Sequence, residues 1–224
     1  MTDIPVSPAV HARGDLSIDQ QHALKAAATR LHTEFDEYFG IETIERFLHS
    51  SYDQFAGRAT ILNFVPLLAE RWARQRLTAL ARVDGKITDA KPIVLFLCTH
   101  NAGRSQMALG YFNHLAGDQG VAWSGGSEPG NEINPAAVAA MAEIGIDITR
   151  EFPKPWTDEI VQAADVVVTM GCGDACPFFP GKRYENWELT DPAGQGIDAV
   201  RPIRDAIEAR VRQLLAELGI TPAA

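Results

Sequence analysis

The stretch Ile93-Val94-Leu95-Phe96-Leu97-Cys98-Thr99-His100-Asn101-Ala102-Gly103-Arg104-Ser105 decides the architecture. Its first five residues are apolar, bulky and partly β-branched, which suits a buried strand, and they end on a cysteine at the strand's carboxyl edge. Five residues separate Cys98 from Arg104, after which Met107, Ala108, Tyr111, Phe112 and Leu115 recur at helical spacing. A strand, a tight loop and a helix N-terminus therefore meet at one thiol. Such a place suits an oxyanion, because loop N–H groups converge with the positive end of the helix dipole and Arg104 adds a planar fork. The same field favours the thiolate of Cys98, the form that attacks, and Ser105 can donate a hydrogen bond to it. A core cysteine with an incidental arginine is the plainer reading. Cys-x5-Arg-Ser between an apolar strand and an amphipathic helix is too specific a pattern for it.

Outward from this stretch the chain alternates strand and helix. Residues 121–124 read as a second strand, followed by a Gly125-Gly126 turn. Asn134 caps a helix with Pro135 in its first position and Val138, Met141 and Ile144 inward, ended by Gly145. Thr157 opens a shorter helix, residues 165–170 form a third strand, residues 186–190 a fourth, and residues 197–218 the last helix. Alternation of this kind predicts an α/β fold, a doubly wound parallel four-stranded sheet with helices on both faces. Ligands in such sheets bind at the carboxyl ends of strands, where Cys98 falls and where Cys172 follows the third strand.

Upstream the pattern differs. Residues 1–16 carry two prolines and no periodicity, so they read as a loose arm. Ser17 and Gln20 make a capping box, with Leu24, Ala27, Ala28, Leu31, Phe35 and Tyr38 along one face. Ile41, Ile44, Phe47, Leu48, Tyr52 and Phe55 mark a second helix. Asn63 is placed to cap a third, through Val65, Leu68, Trp72, Leu77 and Leu80. Residues 1–88 are thus expected to hold a small all-α three-helix bundle and residues 89–224 the α/β domain, with the boundary in the polar stretch around Asp84-Gly85. Arg71, Arg74, Arg76 and Arg82 invite a phosphate-binding reading, but residues 1–90 hold ten basic against twelve acidic residues, which points to a salt-bridged face.

At 224 residues and 46% hydrophobic content, the chain can bury an ample core, and a net charge of −9 argues against nucleic acid or an anionic membrane as partner. No apolar run approaches a membrane span and the first residues resemble no signal peptide, so a cytoplasmic protein is expected. Three cysteines, Cys98, Cys172 and Cys176, fit no disulfide scaffold. In a reducing compartment they are more often catalytic or redox-active. A zinc site at Cys172 and Cys176 has no histidine nearby to complete it, so no metal is expected.

Residues 94–108, with the loop Cys98-Thr-His-Asn-Ala-Gly-Arg104-Ser105-Gln106, resemble the low-molecular-weight protein tyrosine phosphatase family, and within it the arsenate reductase branch. The resemblance extends over residues 91–220 through residues 124–129, residues 166–176 and Asp191-Pro192-Ala193-Gly194. It implies that Cys98 is the nucleophile, that Thr99, His100, Asn101, Ala102, Gly103, Arg104 and Ser105 bind the oxyanion, and that Asp191 is the general acid. A reductase needs further thiols to carry two electrons, and Cys172 and Cys176 can supply them. Several departures favour a reductase: Gly103 stands where the phosphatases usually carry a second cysteine, Gln106 where they have proline, and the aromatic pair after Asp-Pro is missing. The implied activity is arsenate reduction to arsenite for detoxification. It needs no tightly bound cofactor, draws on an external thiol such as thioredoxin or mycothiol, and leaves the bundle free to form a homodimer. Phosphate and sulfate would compete with arsenate. The alternative is a phosphatase for small phosphoesters or phosphotyrosine. A third class, a redox sensor without enzymatic activity, is opposed by the intact Arg104 and Asp191.

Overall fold

The computed structural model describes residues 16–59, 61–88, 91–171 and 178–223, and they form two compact units, one up to Leu77 and one from Thr78 onward. The expected N-terminal arm, apart from Leu16, lies outside the described residues, as do Cys172 and Cys176.

In the first unit the capping box is present: Ser17 Oγ accepts from the Gln20 amide, and the Gln20 side chain accepts from the Ser17 amide. It starts α1 (Ile18–Phe35), which is followed by α2 (Ile41–Ala56) and α3 (Val65–Val83). Leu24, Leu31 and Phe35 of α1 are buried, as are Ile44, Leu48 and Phe55 of α2 and Val65, Trp72 and Leu77 of α3. Spacings of three and four residues thus build the bundle's core. Asn63 does not cap α3. It sits within a 3-10 turn, Leu62–Phe64, that leads straight into the helix. Ile41, expected inward, is 41% exposed because it begins α2.

The arginines of α3 are occupied. Arg74 pairs with Glu34 and Glu70, and Arg76 donates to Ser50 and Ser51 while lying 4.6 Å from the Phe47 ring centroid. Glu70 is the buried member, accepting from Arg30 Nε at 2.9 Å, Arg30 Nη2 at 2.6 Å and Arg74 Nη2 at 3.0 Å. Hydrogen bonds from Arg30 hold its carboxyl below the usual range against the opposing effect of burial, with Arg74 adding to them. A depressed carboxylate stabilises the fold above its unfolded value, about 4.3, and that stability is lost as pH falls through the lower folded value. Glu70→Gln is therefore expected to cost about 1 to 2 kcal/mol at pH 7, discounted for the exposure of Arg30. The difference between variant and parent should fade below about pH 4. Thermal unfolding at both pH values checks this, and a difference independent of pH would refute the ionic account.

The second unit holds β1 (Ile93–Cys98), β2 (Val121–Gly126), β3 (Val166–Thr169) and β4 (Arg183–Asn186), all parallel in the order β2-β1-β3-β4. Its helices are α4 (Arg104–Ala116), α5 (Pro135–Ala142), α6 (Asp158–Ala163) and α7 (Ile197–Glu217). Strand alternation sends Val94, Phe96 and Cys98 into one core with Met107 and Phe112 of α4, Met141 of α5 and Val211 and Leu214 of α7. Leu95 and Leu97 are buried on the opposite face, which α6 covers. The units part inside α3, ahead of the polar stretch around residue 88. Arg82, in the last turn of α3, donates to Lys91 O and to Asp165, whose carboxylate also accepts from the Ile93 amide. No described helix is long and apolar enough to cross a membrane.

Three local expectations are corrected. Gly125 and Gly126 are no turn but the end of β2, and they are glycine because a Cβ at Gly126 would stand 2.6 Å from Thr99 O. The fourth strand is Arg183–Asn186 rather than residues 186–190. It is a polar edge strand without an apolar pattern, and the buried Trp187 and partly buried Leu189 follow it. Ile144 is 38% exposed past the end of α5, and Ile146 and Ile148 fill the core in its place.

Candidate active site

Cys98 ends β1 opposite Gly126, 2% exposed, and the chain then loops through residues 99–103 into α4. The loop's carbonyls are all tied outward. Thr99 O accepts from the Glu128 amide, His100 O from Gly130, Ala102 O from Asn134, and Gly103 O from Gln106 and Met107. Asn101 O accepts from Gln106 Nε2 at 3.0 Å. With its carbonyls all taken up by these partners, the loop leaves the amide N–H groups of residues 100–105 with no acceptor among the described residues. Unpaired donors are costly unless a ligand meets them, so the loop is built as an anion cradle would be, next to Cys98.

Asn101 holds the cradle's shape. At φ 46° it is the non-glycine residue with positive φ among those described, a strained conformation that asparagine tolerates better than most. Its Oδ1 accepts from the Lys154 amide at 2.9 Å and from Gln106 Nε2 at 3.1 Å, which fixes the amide's orientation. Nδ2 then points at Ser105 Oγ, 2.8 Å away. Since Ser105 Oγ accepts there, its own proton is free for Cys98 Sγ at 3.0 Å. A directed chain of donors therefore runs from Asn101 through Ser105 to the sulfur.

Arg104, 6% exposed, donates from Nη2 to Asp191 Oδ2 at 2.9 Å, with Nη1 3.4 Å from Leu189 O. Asp191 Oδ1 accepts from the Ala193 amide, and its side chain is about half exposed. The carboxylate thus stands at the mouth of the cradle, in reach of solvent. Thr99 Oγ1 donates to Gly171 O, and Gly171 adopts φ +77° with no room for a Cβ beside Arg104 Nη1. His100 is exposed, its Nδ1 3.0 Å from Glu128 O, and makes no contact with the sulfur. The structure therefore brings together Cys98, residues 99–105 and Asp191, and Cys172 and Cys176 lie outside the described residues.

The bonds that Gln106 and Asn134 make to the loop emerge only from the structure. Gln106 Nε2 ties the loop to itself and to Phe152 O at 3.2 Å. Asn134, expected only as a helix cap, caps α5 through Ala136 and also binds Ala102 O through its amide and Pro192 O through Nδ2. The sequence marks Gln106 as a departure from the phosphatase pattern, and its place in the first turn of α4, from which a helical side chain points back toward the N-terminus, is the signal for its contact with the loop.

Chemically, a thiol amid converging donors with a carboxylate at the rim can attack a tetrahedral oxyanion and protonate a departing oxygen. Known proteins are similar to this chain. The family model of the low molecular weight phosphotyrosine protein phosphatase matches residues 93–221, and that of a protein-tyrosine-phosphatase-like N-terminal domain matches residues 24–81. A solved thioredoxin-dependent arsenate reductase from Corynebacterium glutamicum is 40% identical with a TM-score of 0.81, over 89% of this chain and 98% of its own. An arsenate reductase from Halalkalibacterium halodurans is 41% identical over 139 residues, 58% of this chain and 98% of its own. Another from Bacillus subtilis is 40% identical over 137 residues, 57% of this chain and 96% of its own.

Proposed function

Because the chain belongs to the low molecular weight phosphotyrosine protein phosphatase family, we propose that it is an arsenate reductase, an oxidoreductase that draws electrons from a thioredoxin-like protein or a small thiol. The observation that carries the reading is the set of amides of residues 100–105, which have no acceptor among the described residues, in the loop between Cys98 and the buried Arg104. Arsenate presents the tetrahedral oxygens such a cradle accepts.

In the first step the Cys98 thiolate attacks As(V), a sulfur–arsenic bond forms, and an arsenate oxygen leaves as water after protonation by Asp191. Arg104 and the loop amides carry the negative charge of the remaining oxygens. Cys172 then attacks Cys98 sulfur, the sulfur–arsenic bond breaks, and its electron pair stays on arsenic, which leaves as arsenite. Cys98 and Cys172 are left as a disulfide, so two thiols have supplied two electrons. Cys176 next attacks Cys172, frees Cys98, and leaves a Cys172–Cys176 disulfide for the external thiol to reduce. The sequence position of Cys172, directly after a Gly171 that bonds to Thr99, supports its part in this order.

The small Ala193 and Gly194 beside Asp191 suit a small oxyanion better than an aryl phosphate. Arsenite release from arsenate with thioredoxin and thioredoxin reductase, run beside hydrolysis of an aryl phosphate, tests the assignment. Hydrolysis without arsenite would move the protein to the phosphatases. We place it in the cytoplasm, where reducing thiols are held. Pairing of two chains through the bundle is part of the same proposal, and Ile61, Leu62, Phe64 and Leu67 form an exposed apolar group there. A monomeric mass in solution would remove it.

A further inference from the structure

Phe178 is 74% exposed, more than any other large apolar side chain described, and no other in the second unit exceeds 40%. Single exposed apolar residues are ordinary on a protein surface. This one differs in its backing and in its place. Its ring lies 5.0 Å from that of Tyr184 with the planes 30° apart, and the Tyr184 hydroxyl accepts from the Phe179 amide at 2.9 Å. Tyr184 belongs to β4, which is paired with β3, so Phe178 is presented on a fixed support. An aromatic side chain held in this way loses little freedom when a partner covers it. Its place follows from the chain: two peptide units join Cys176 to Phe178, so their Cα atoms lie within about 7 Å of each other. In the proposed relay the bond between Cys172 and Cys176 is the one an external reductant must break. A weak redox encounter between proteins buries up to about 600 Å² of each partner, a disc of roughly 14 Å radius. A protein that reaches the Cys176 sulfur therefore also reaches Phe178, whereas a small thiol covers only the sulfur it attacks.

We propose that Phe178, backed by Tyr184, is the docking anchor for a protein disulfide reductant whose surface next to its own thiol is apolar. The proposal rests on the reading of Cys172 and Cys176 as the pair through which electrons enter, and it narrows the donor from any thiol to a folded protein. Covering an exposed aromatic side chain removes apolar area from water, and aromatic residues buried at the centre of an interface are among those whose truncation weakens binding most.

Phe178→Ala and Phe178→Tyr are compared with the parent in two assays. In the first, chemically oxidised protein is reduced by thioredoxin, itself recycled by thioredoxin reductase and NADPH, with no arsenate present. In the second, arsenite release from arsenate is driven by dithiothreitol alone. Phe178→Ala is expected to lower kcat/KM for thioredoxin about tenfold, chiefly through KM, while Phe178→Tyr, which keeps the ring, stays within about threefold of the parent. The rate with dithiothreitol and the unfolding temperature should change little in both variants, because an exposed ring adds little to the fold. Equal reduction of parent and Phe178→Ala by thioredoxin would overturn the proposal, and so would a loss with dithiothreitol as large as that with thioredoxin. An oxidised parent that thioredoxin does not reduce at all would overturn it too. A parent that thioredoxin reduces but that releases no arsenite with either reductant would instead overturn the arsenate reading, and the first assay would still test the anchor.

Discussion

Cys98→Ser is expected to abolish arsenite release, by about a thousandfold or more, without loss of fold. The substitution is nearly isosteric at a site 2% exposed, and Ser105 Oγ remains as a hydrogen-bond partner, so unfolding temperature should change little. What disappears is the nucleophile, since a serine hydroxyl in the same cradle is almost wholly un-ionised at neutral pH and forms no reducible bond. Arg104→Ala should also fall by about a hundredfold or more, the scale for removing a donor to a developing oxyanion. Its loss also leaves Asp191 without the guanidinium that holds it at 2.9 Å. Arg104→Lys should recover little, because an ammonium cannot match two oxygens at once. The two losses are distinguishable. With Cys98→Ser, arsenate should still raise the unfolding temperature, whereas Arg104→Ala should lose most of that stabilisation. Arsenite release by Cys98→Ser near the parent's rate would end the assignment of the nucleophile.

The part of this site that sequence makes legible is the part whose chemistry and position are local. A run of apolar residues ending on Cys98, five loop residues and a helical face behind Arg104 define strand, loop and helix together, and β1 and α4 fall where that pattern puts them. The same holds for the capping box at Ser17 and for Asn134 before Pro135, where a few neighbouring residues settle a helix start. The illegible part depends on residues brought in from far along the chain. Gly126 reads as a turn because glycine pairs often are turns, yet its reason is the Thr99 carbonyl from a neighbouring strand's loop. Gln106 reads as a departure from a family pattern, and only the folded chain shows it binding Asn101 and Phe152. β4 has no apolar face of its own to announce it, because an edge strand can be held by backbone pairing to β3 alone. Asp191 was legible through its proline neighbour, but its bond to Arg104, 87 residues away, was not.

The second large effect is expected from Cys176→Ser. With a protein reductant in excess, this variant should release about one arsenite per chain and then stop, at least a hundredfold below the parent in sustained turnover. The reason lies in electron bookkeeping and access. Reduction of one arsenate consumes the thiols of Cys98 and Cys172, and the resulting bond includes a sulfur that is 2% exposed at the floor of the cradle. A reductant must reach a disulfide sulfur in line with the bond it breaks, and Cys98 offers no such approach. Cys176 moves the disulfide off Cys98, so its removal should trap the Cys98–Cys172 species, which peptide mapping under non-reducing conditions detects as a cross-link. Cys172→Ser should stop earlier, with no disulfide and with arsenic still bound to Cys98, so that less than one arsenite appears per chain. Sustained turnover by Cys176→Ser, or a stalled variant without the cross-link, would replace the three-thiol relay with a single-cysteine reaction completed by a small external thiol. That alternative makes its own demand: the small thiol would have to enter the cradle itself, and the rate would then rise with its concentration in the parent and in both cysteine variants alike.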